Sequence, residues 1–175
     1  MGKRIGELGV HPNQLTLLGL GLSLLVPLLA YFGYGIAAVL LMVLSALFDA
    51  LDGLVARASG KESKFGAVLD SVSDRISDAS YVLTVALLGV DILLCYVLLA
   101  LSFVISYQAA LAEGMGLRMK GIGILERKHR VPALVAVAAL ALWEVMWATA
   151  GVILMIALSL VTIAQRMSAL ARVAG

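Results

Sequence analysis

The sequence predicts an all-α, polytopic membrane protein with six transmembrane helices, and three observations carry that prediction. Apolar residues make up 62% of the 175-residue chain against 14% charged, with a mean hydropathy of +1.06, well above a soluble domain. Between Glu7 and Asp49 lie 41 residues without Asp, Glu, Lys or Arg, about twice the roughly 20 that one spanning helix needs. Folded as six helices, the chain also sorts its basic residues onto one face of the bilayer. The net charge is only +2, and no nucleic-acid partner is expected. The single cysteine, Cys95, excludes an intramolecular disulfide and a cysteine zinc cluster.

Met1 to Val10 interleaves Lys3, Arg4 and Glu7 with apolar residues, so residues 1–12 read as an interfacial segment held by its basic groups. The first apolar run is too long for a cleavable signal peptide and begins only after His11, Pro12 and Asn13. The first helix is expected at about 14–32, with Pro27 as a kink. A break follows where Tyr31, Phe32, Gly33, Tyr34 and Gly35 cluster. The second helix is expected at about 36–57. Ser59 to Lys64 form a polar connection before a third helix from about Phe65 to Leu88, and a fourth runs from after Asp91 to about Ala112. Glu113 to His129 is the longest polar segment. A fifth helix is expected from near Arg130, with Pro132 in its first turn, to about Trp147, and a sixth at about 150–168. Trp143, Glu144 and Trp147 read as an interfacial belt. The six-helix core thus covers 14–168 within a single domain of 1–175.

Of thirteen basic residues, twelve lie on or beside the N-terminus, the 58–64 loop, the 113–129 loop or the tail, the exception being Arg75. The opposite loops carry Asp91 and Glu144 and no basic residue. The positive-inside rule then puts both termini in the cytoplasm.

Against this apolar background, Asp49, Asp52, Asp70, Asp74 and Asp78 stand out. On insertion scales each would cost roughly 2.5 to 3.5 kcal/mol at mid-bilayer, so something must compensate them. Asp49 and Asp52 are i,i+3 and share a helix face, while Asp70 and Asp74 lie one turn apart. Two antiparallel helices joined by a short loop can bring the four together, and hard carboxylate oxygens suit Mg²⁺ or Mn²⁺ rather than zinc. Gly53 and Ala56 leave room beside the acids, Arg57 offers a fork of donors suited to phosphate, and Gly66 permits close helix approach. The expected compensation is divalent metal, with two ions as the expected count, acting on a pyrophosphate. A cation or proton pathway would also need intramembrane acids, but the outer halves of these helices are Val, Leu and Ala.

The pattern D-x-x-D-G-x-x-A-R, eight residues, then G-x-x-x-D-x-x-x-D resembles the motif of the CDP-alcohol phosphotransferases. Asp49, Asp52, Gly53, Ala56, Arg57, Gly66, Asp70 and Asp74 match it throughout, and Pro12 to Thr16 is similar to the stretch before that family's first core helix. The resemblance implies a membrane-embedded, usually homodimeric enzyme, open to the cytoplasm, that displaces CMP from a CDP-linked substrate with an alcohol. It implies Asp49, Asp52 and Asp70 as metal ligands, with Asp74 bordering the metals and acting as general base. Asn13, Thr16, Gly53, Ala56, Arg57, Ser63 and Gly66 would contact the CDP-lipid.

Ser106-Tyr107 through Glu113, with Glu126, Arg127 and Arg130, resembles the phosphatidylinositol-phosphate and archaetidylinositol-phosphate synthase branch. That makes inositol 1-phosphate the leading acceptor, with glycerol 3-phosphate or serine as runner-up. Ala109 and Leu111 stand where the branch has basic residues, and His129 replaces an acid. Arg118, Lys120, Arg127 and Arg130 are therefore the candidate acceptor-phosphate ligands.

Overall fold

The computed structural model describes residues 11–59, 63–117, 119 and 121–174. The expected interfacial segment up to Val10, and with it Lys3 and Arg4, lies outside the described residues, as do Lys61, Arg118 and Lys120. Among the described residues the structure is all-helical: α1 (Pro12–Tyr31), α2 (Gly35–Ser59), α3 (Lys64–Leu87), α4 (Ile92–Gly114), α5 (Arg127–Trp143) and α6 (Val145–Ala174).

Four of these helices are long and apolar enough to cross a membrane: Pro12–Tyr31, Gly35–Ala58, Ile92–Gly114 and Val145–Arg172. Their outer faces present large side chains such as Leu17, Leu28, Leu40, Leu93 and Leu154, all more than half exposed, which only a lipid environment accommodates on this scale. The chain is an integral membrane protein. Of the other two helices, α3 carries Asp70, Asp74, Arg75 and Asp78, and α5 has only 17 residues and opens on Arg127, Lys128 and Arg130.

By packing the chain divides into two units, Met1–Leu87 and Leu88–Gly175. In the first, α1 packs along both α2 and α3, while α2 and α3 touch each other at few positions. Pro12 opens α1 at a position where its missing N–H costs nothing, and the His11 N–H donates to Gln14 Oε1 at 3.1 Å. Pro27 lies buried inside the helix. The α1–α2 break falls where expected: Gly33 takes φ +83°, a conformation that suits glycine, and the Tyr34 N–H closes on Leu29 O at 2.8 Å. A chain of buried hydroxyls ties the three helices together. Tyr81 on α3 donates to Ser45 Oγ on α2 at 2.9 Å, and Ser45 donates to Gly19 O on α1 at 2.7 Å. Ser77 donates to Ser23 Oγ at 3.0 Å. Gly19 eases this close approach, because a Cβ would sit 3.3 Å from the Phe48 Cβ, tighter than an ordinary contact.

In the second unit, α6 packs against α4 and α5. Asp91 caps α4, accepting from the Leu93 and Leu94 N–H groups at 2.9 and 3.1 Å, and Cys95 is buried as a small core residue. The fifth helix departs from expectation at both ends. It starts at Arg127, not Arg130, because Glu126 O accepts from both His129 N and Arg130 N at 2.9 Å. Pro132 therefore lies inside the helix rather than in its first turn. It stops at Trp143, where Glu144 turns extended (φ −152°, ψ 115°) and its carbonyl begins α6. Trp143 and Trp147 remain exposed but flank a one-residue break. The sixth helix starts at Val145 and reaches Ala174, longer than expected at both ends.

Candidate active site

The first unit gathers the acids. Asp49 on α2 and Asp70 and Asp74 on α3 each offer a carboxylate oxygen, and these oxygens all lie within 4.8 Å of one another. Three like charges at this separation repel by about 3 kcal/mol per pair at an effective dielectric near 20. A hard divalent cation relieves that repulsion, and an all-carboxylate donor set is what Mg²⁺ or Mn²⁺ takes. The donors present fit such an ion.

Asp52 stands outside this trio. It is 4% exposed and accepts a 2.6 Å hydrogen bond from the buried Thr16 hydroxyl on α1. Asp49 and Asp70 are close enough for their charges to bear on it. The four acids predicted as one set therefore divide, three converging and the fourth fixed by α1. Arg75 lies 3.6 Å from Asp74 and bonds the Ser71 carbonyl at 2.8 Å, so its ion pair is with Asp74. Asp78 is 1% exposed.

Beside the acids opens a cavity of about 490 Å³. Asn13, Thr16, Gly53, Ala56, Arg57, Ser63 and Gly66, the seven residues expected to contact the CDP-lipid, all line it, together with Asp52 and Asp70. Pro12, Lys64 and Ala67 complete the lining. Lys64 was legible only as loop charge, although its place directly after the capping Ser63 puts it at the start of α3. Ser63 Oγ accepts from the Gly66 N–H at 2.9 Å and Ser63 O from Ala67 N at 3.0 Å. The N-terminal end of the α3 dipole favours anions at the cavity. A Cβ on Gly66 would lie 3.0 Å from both Asn13 Oδ1 and Ser63 Oγ, and one on Gly53 would rest 3.6 Å from the Arg57 guanidinium. Gly66 thus keeps Asn13 and Ser63 unobstructed at the cavity wall, whereas the Gly53 position leaves ordinary contact distance to Arg57.

The second unit holds the basic residues expected at the acceptor phosphate. Arg130 is 1% exposed and Arg127 half-buried, whereas Arg118 and Lys120 lie outside the described residues. Arg166, which the sequence marked only as topological charge, is 5% exposed and donates to Ile122 O at 2.9 Å and Ile105 O at 2.7 Å. The available signal was an arginine inside a long apolar helix, a costly placement. Glu126 gathers this end of the unit: it accepts from Gly121 N at 2.6 Å and pairs with Lys128 at 3.1 Å and Arg166 at 3.9 Å. Burial alone would raise its carboxyl. The Lys128 and Gly121 hydrogen bonds and the Lys128 and Arg166 charges outweigh that and hold it below the usual glutamate range. His11 and His129 are exposed, without a metal-ligand arrangement between them.

Comparison with known proteins gives the same motif a context. Residues 9–164 match the family model for CDP-alcohol phosphatidyltransferase. The chain is 42% identical over 134 residues to an archaetidylinositol phosphate synthase of Pyrococcus horikoshii, covering 75% of this chain and 70% of that protein. It is 40% identical over 144 residues to a phosphatidylinositol phosphate synthase of Corynebacterium glutamicum, covering 75% and 64%. The Mycobacterium tuberculosis phosphatidylinositol phosphate synthase crystallised with CDP-DAG superposes with a TM-score of 0.80 at 31% identity, over 95% of this chain and 89% of that one. The same enzyme has been crystallised with manganese and citrate. With the family model spanning nearly the whole helical chain and its motif residues meeting around one acid cluster and one cavity, the chain belongs to the CDP-alcohol phosphatidyltransferase family.

Proposed function

We propose that this enzyme transfers a phosphatidyl-type group from a CDP-lipid to inositol 1-phosphate and releases CMP. The observation that carries the reading is the meeting of the Asp49, Asp70 and Asp74 carboxylates beside a cavity lined by all seven residues expected to contact the CDP-lipid. Asp49, Asp52 and Asp70 would hold the metal, two ions being the proposed count, with Asp74 at its border. Bound there, Mg²⁺ or Mn²⁺ would supply neutralisation of the charge on the pyrophosphate and on departing CMP. Arg57, Lys64 and the first turn of α3 hold the CDP phosphates, while Thr16 keeps Asp52 in one orientation. Asp74 takes the proton from the acceptor hydroxyl as its oxygen attacks the lipid-side phosphorus in line; the new P–O bond forms as the bond to the CMP oxygen breaks. Arg127 and Arg130, with Arg118 and Lys120, hold the acceptor phosphate. The two packing units act as one catalytic domain of six spanning helices, with both termini and the active site on the cytoplasmic side and two copies associated as a homodimer. The sorting of twelve basic residues to one face supports that orientation.

The test is CMP release by purified protein in detergent with a CDP-lipid, comparing inositol 1-phosphate, free inositol, glycerol 3-phosphate and serine. Release with inositol 1-phosphate alone is expected, falling to background with EDTA and returning with added Mg²⁺ or Mn²⁺. Ala109 and Leu111 give glycerol 3-phosphate or serine its standing as the second reading, and release with one of these instead would overturn the acceptor while keeping the reaction. Arg127→Ala is expected to raise the acceptor KM about tenfold or more, the scale of one lost charge-assisted hydrogen bond. Its CDP-lipid KM should stay within about twofold, and equal rises in both would remove Arg127 from the acceptor site.

A further inference from the structure

We propose that Gln108 reads a hydroxyl group of the acceptor alcohol through its side-chain oxygen, while its side-chain nitrogen stays tied to α6. The inference rests on the reading above, in which the acceptor is a polyol phosphate held by the arginines of the second unit.

Gln108 lies on α4 and is 6% exposed. Its Nε2 donates to the Ile163 carbonyl on α6 at 3.4 Å. One turn earlier on α4 the link runs the other way, with the Ile105 carbonyl accepting from Arg166 of α6 at 2.7 Å. Each helix thus sends one side chain to the other's backbone. This arrangement fixes the orientation of the Gln108 amide, because turning it over would set its oxygen against the Ile163 oxygen. The oxygen is left buried, and it finds no donor among the described residues.

A buried amide oxygen without a donor is destabilising, and an apolar side chain of the same shape would avoid the cost. A brace between α4 and α6 needs only the nitrogen, so the oxygen has a different use. Its surroundings indicate which. Arg166 lies one turn from Ile163 on α6, 3.9 Å from Glu126 and close enough to Arg130 to feel its charge. Arg166 bonds the backbone one turn from Gln108, and guanidinium groups near a buried oxygen that lacks a donor suit a ligand that is anionic at one end and carries hydroxyl hydrogens at the other. A phosphate monoester of a polyol has both.

The experiment compares binding of inositol 1-phosphate with that of ethyl phosphate, a monoester without hydroxyl groups, by calorimetry on the full chain in detergent. Gln108→Leu and Gln108→Met both remove the amide at similar volume, so a folding failure in one leaves the other. In the parent, inositol 1-phosphate is expected to bind about tenfold tighter than ethyl phosphate, the scale of one buried hydrogen bond. In the variants that ratio should fall to about one, with ethyl phosphate affinity unchanged. A ratio preserved in both variants, or a parent ratio near one, would overturn the proposal. So would an equal loss of both ligands, which would make Gln108 a brace alone. CMP release from the same parent preparation separates the two readings: release with an unaffected ratio sinks only Gln108, whereas absent release with a collapsed ratio sinks the transfer reaction and keeps Gln108 as a hydroxyl-reading residue.

Discussion

Asp74→Asn is expected to lower CMP release by about 10²–10⁴-fold, the range contributed by a positioned general base. Asparagine keeps the shape of the side chain and one acceptor oxygen, but it cannot take a proton. It also removes one of three charges that lie within 4.8 Å of one another, which eases the repulsion among them and leaves Arg75, 3.6 Å from Asp74, without its carboxylate. CDP-lipid binding should remain largely intact, since the cavity walls come from α1, α2 and the first two turns of α3, N-terminal to Asp74. Asp70→Asn is the informative comparison. Asp70 belongs both to the acid trio and to the cavity lining, so its loss should weaken Mn²⁺ binding, measured by paramagnetic resonance, as well as turnover. Turnover by Asp74→Asn within tenfold of the parent would remove Asp74 from the base role. Loss of Mn²⁺ binding equal to that of Asp70→Asn would make it a ligand instead.

The parts of this site that follow from spacing along one helix were legible in the sequence. Asp49 stands at a fixed turn of α2, and Asp70 and Asp74 one turn apart on α3, so their convergence needed only that two helices run antiparallel. The break near Gly33 was legible for a similar reason, since a positive φ suits glycine and aromatics cluster beside it. What depends on a third element was not. No spacing rule reveals that α1 is the shared packing partner of α2 and α3, or that Thr16 of α1 hydrogen-bonds Asp52. The start of α5 was misjudged because Pro132 is a strong local signal, whereas the carbonyl of Glu126 closes the first turn ahead of it. Arg166 and Gln108 went unassigned because their partners lie 44 to 61 residues away on other elements.

Glu126→Gln is expected to destabilise the second unit by about 2 kcal/mol, below the roughly 3 to 5 kcal/mol that breaking a fully buried ion pair costs. Glutamine preserves the oxygen that accepts from the Gly121 N–H but removes the charge facing Lys128 and Arg166. Lys128 is largely exposed and turns to solvent at little cost. Arg166 cannot: it is 5% exposed, keeps its proton at any working pH, and sits within reach of the Arg130 charge. Its bonds to the Ile105 and Ile122 carbonyls persist, which keeps the loss below that range. For a chain of this size that is a fall of roughly 4 to 8 °C in the unfolding midpoint, readable in detergent from Trp143 and Trp147, both in this unit. The pH dependence fixes the cause. The Glu126 carboxyl is held below its usual value in the folded protein, so its stabilising effect is complete above the unfolded value of about 4.3 and is lost as pH falls through the lowered one. The parent should therefore exceed the variant at pH 7 and converge with it on acidification. A gap that persists unchanged at low pH would mean that shape, not charge, is what Glu126 contributes.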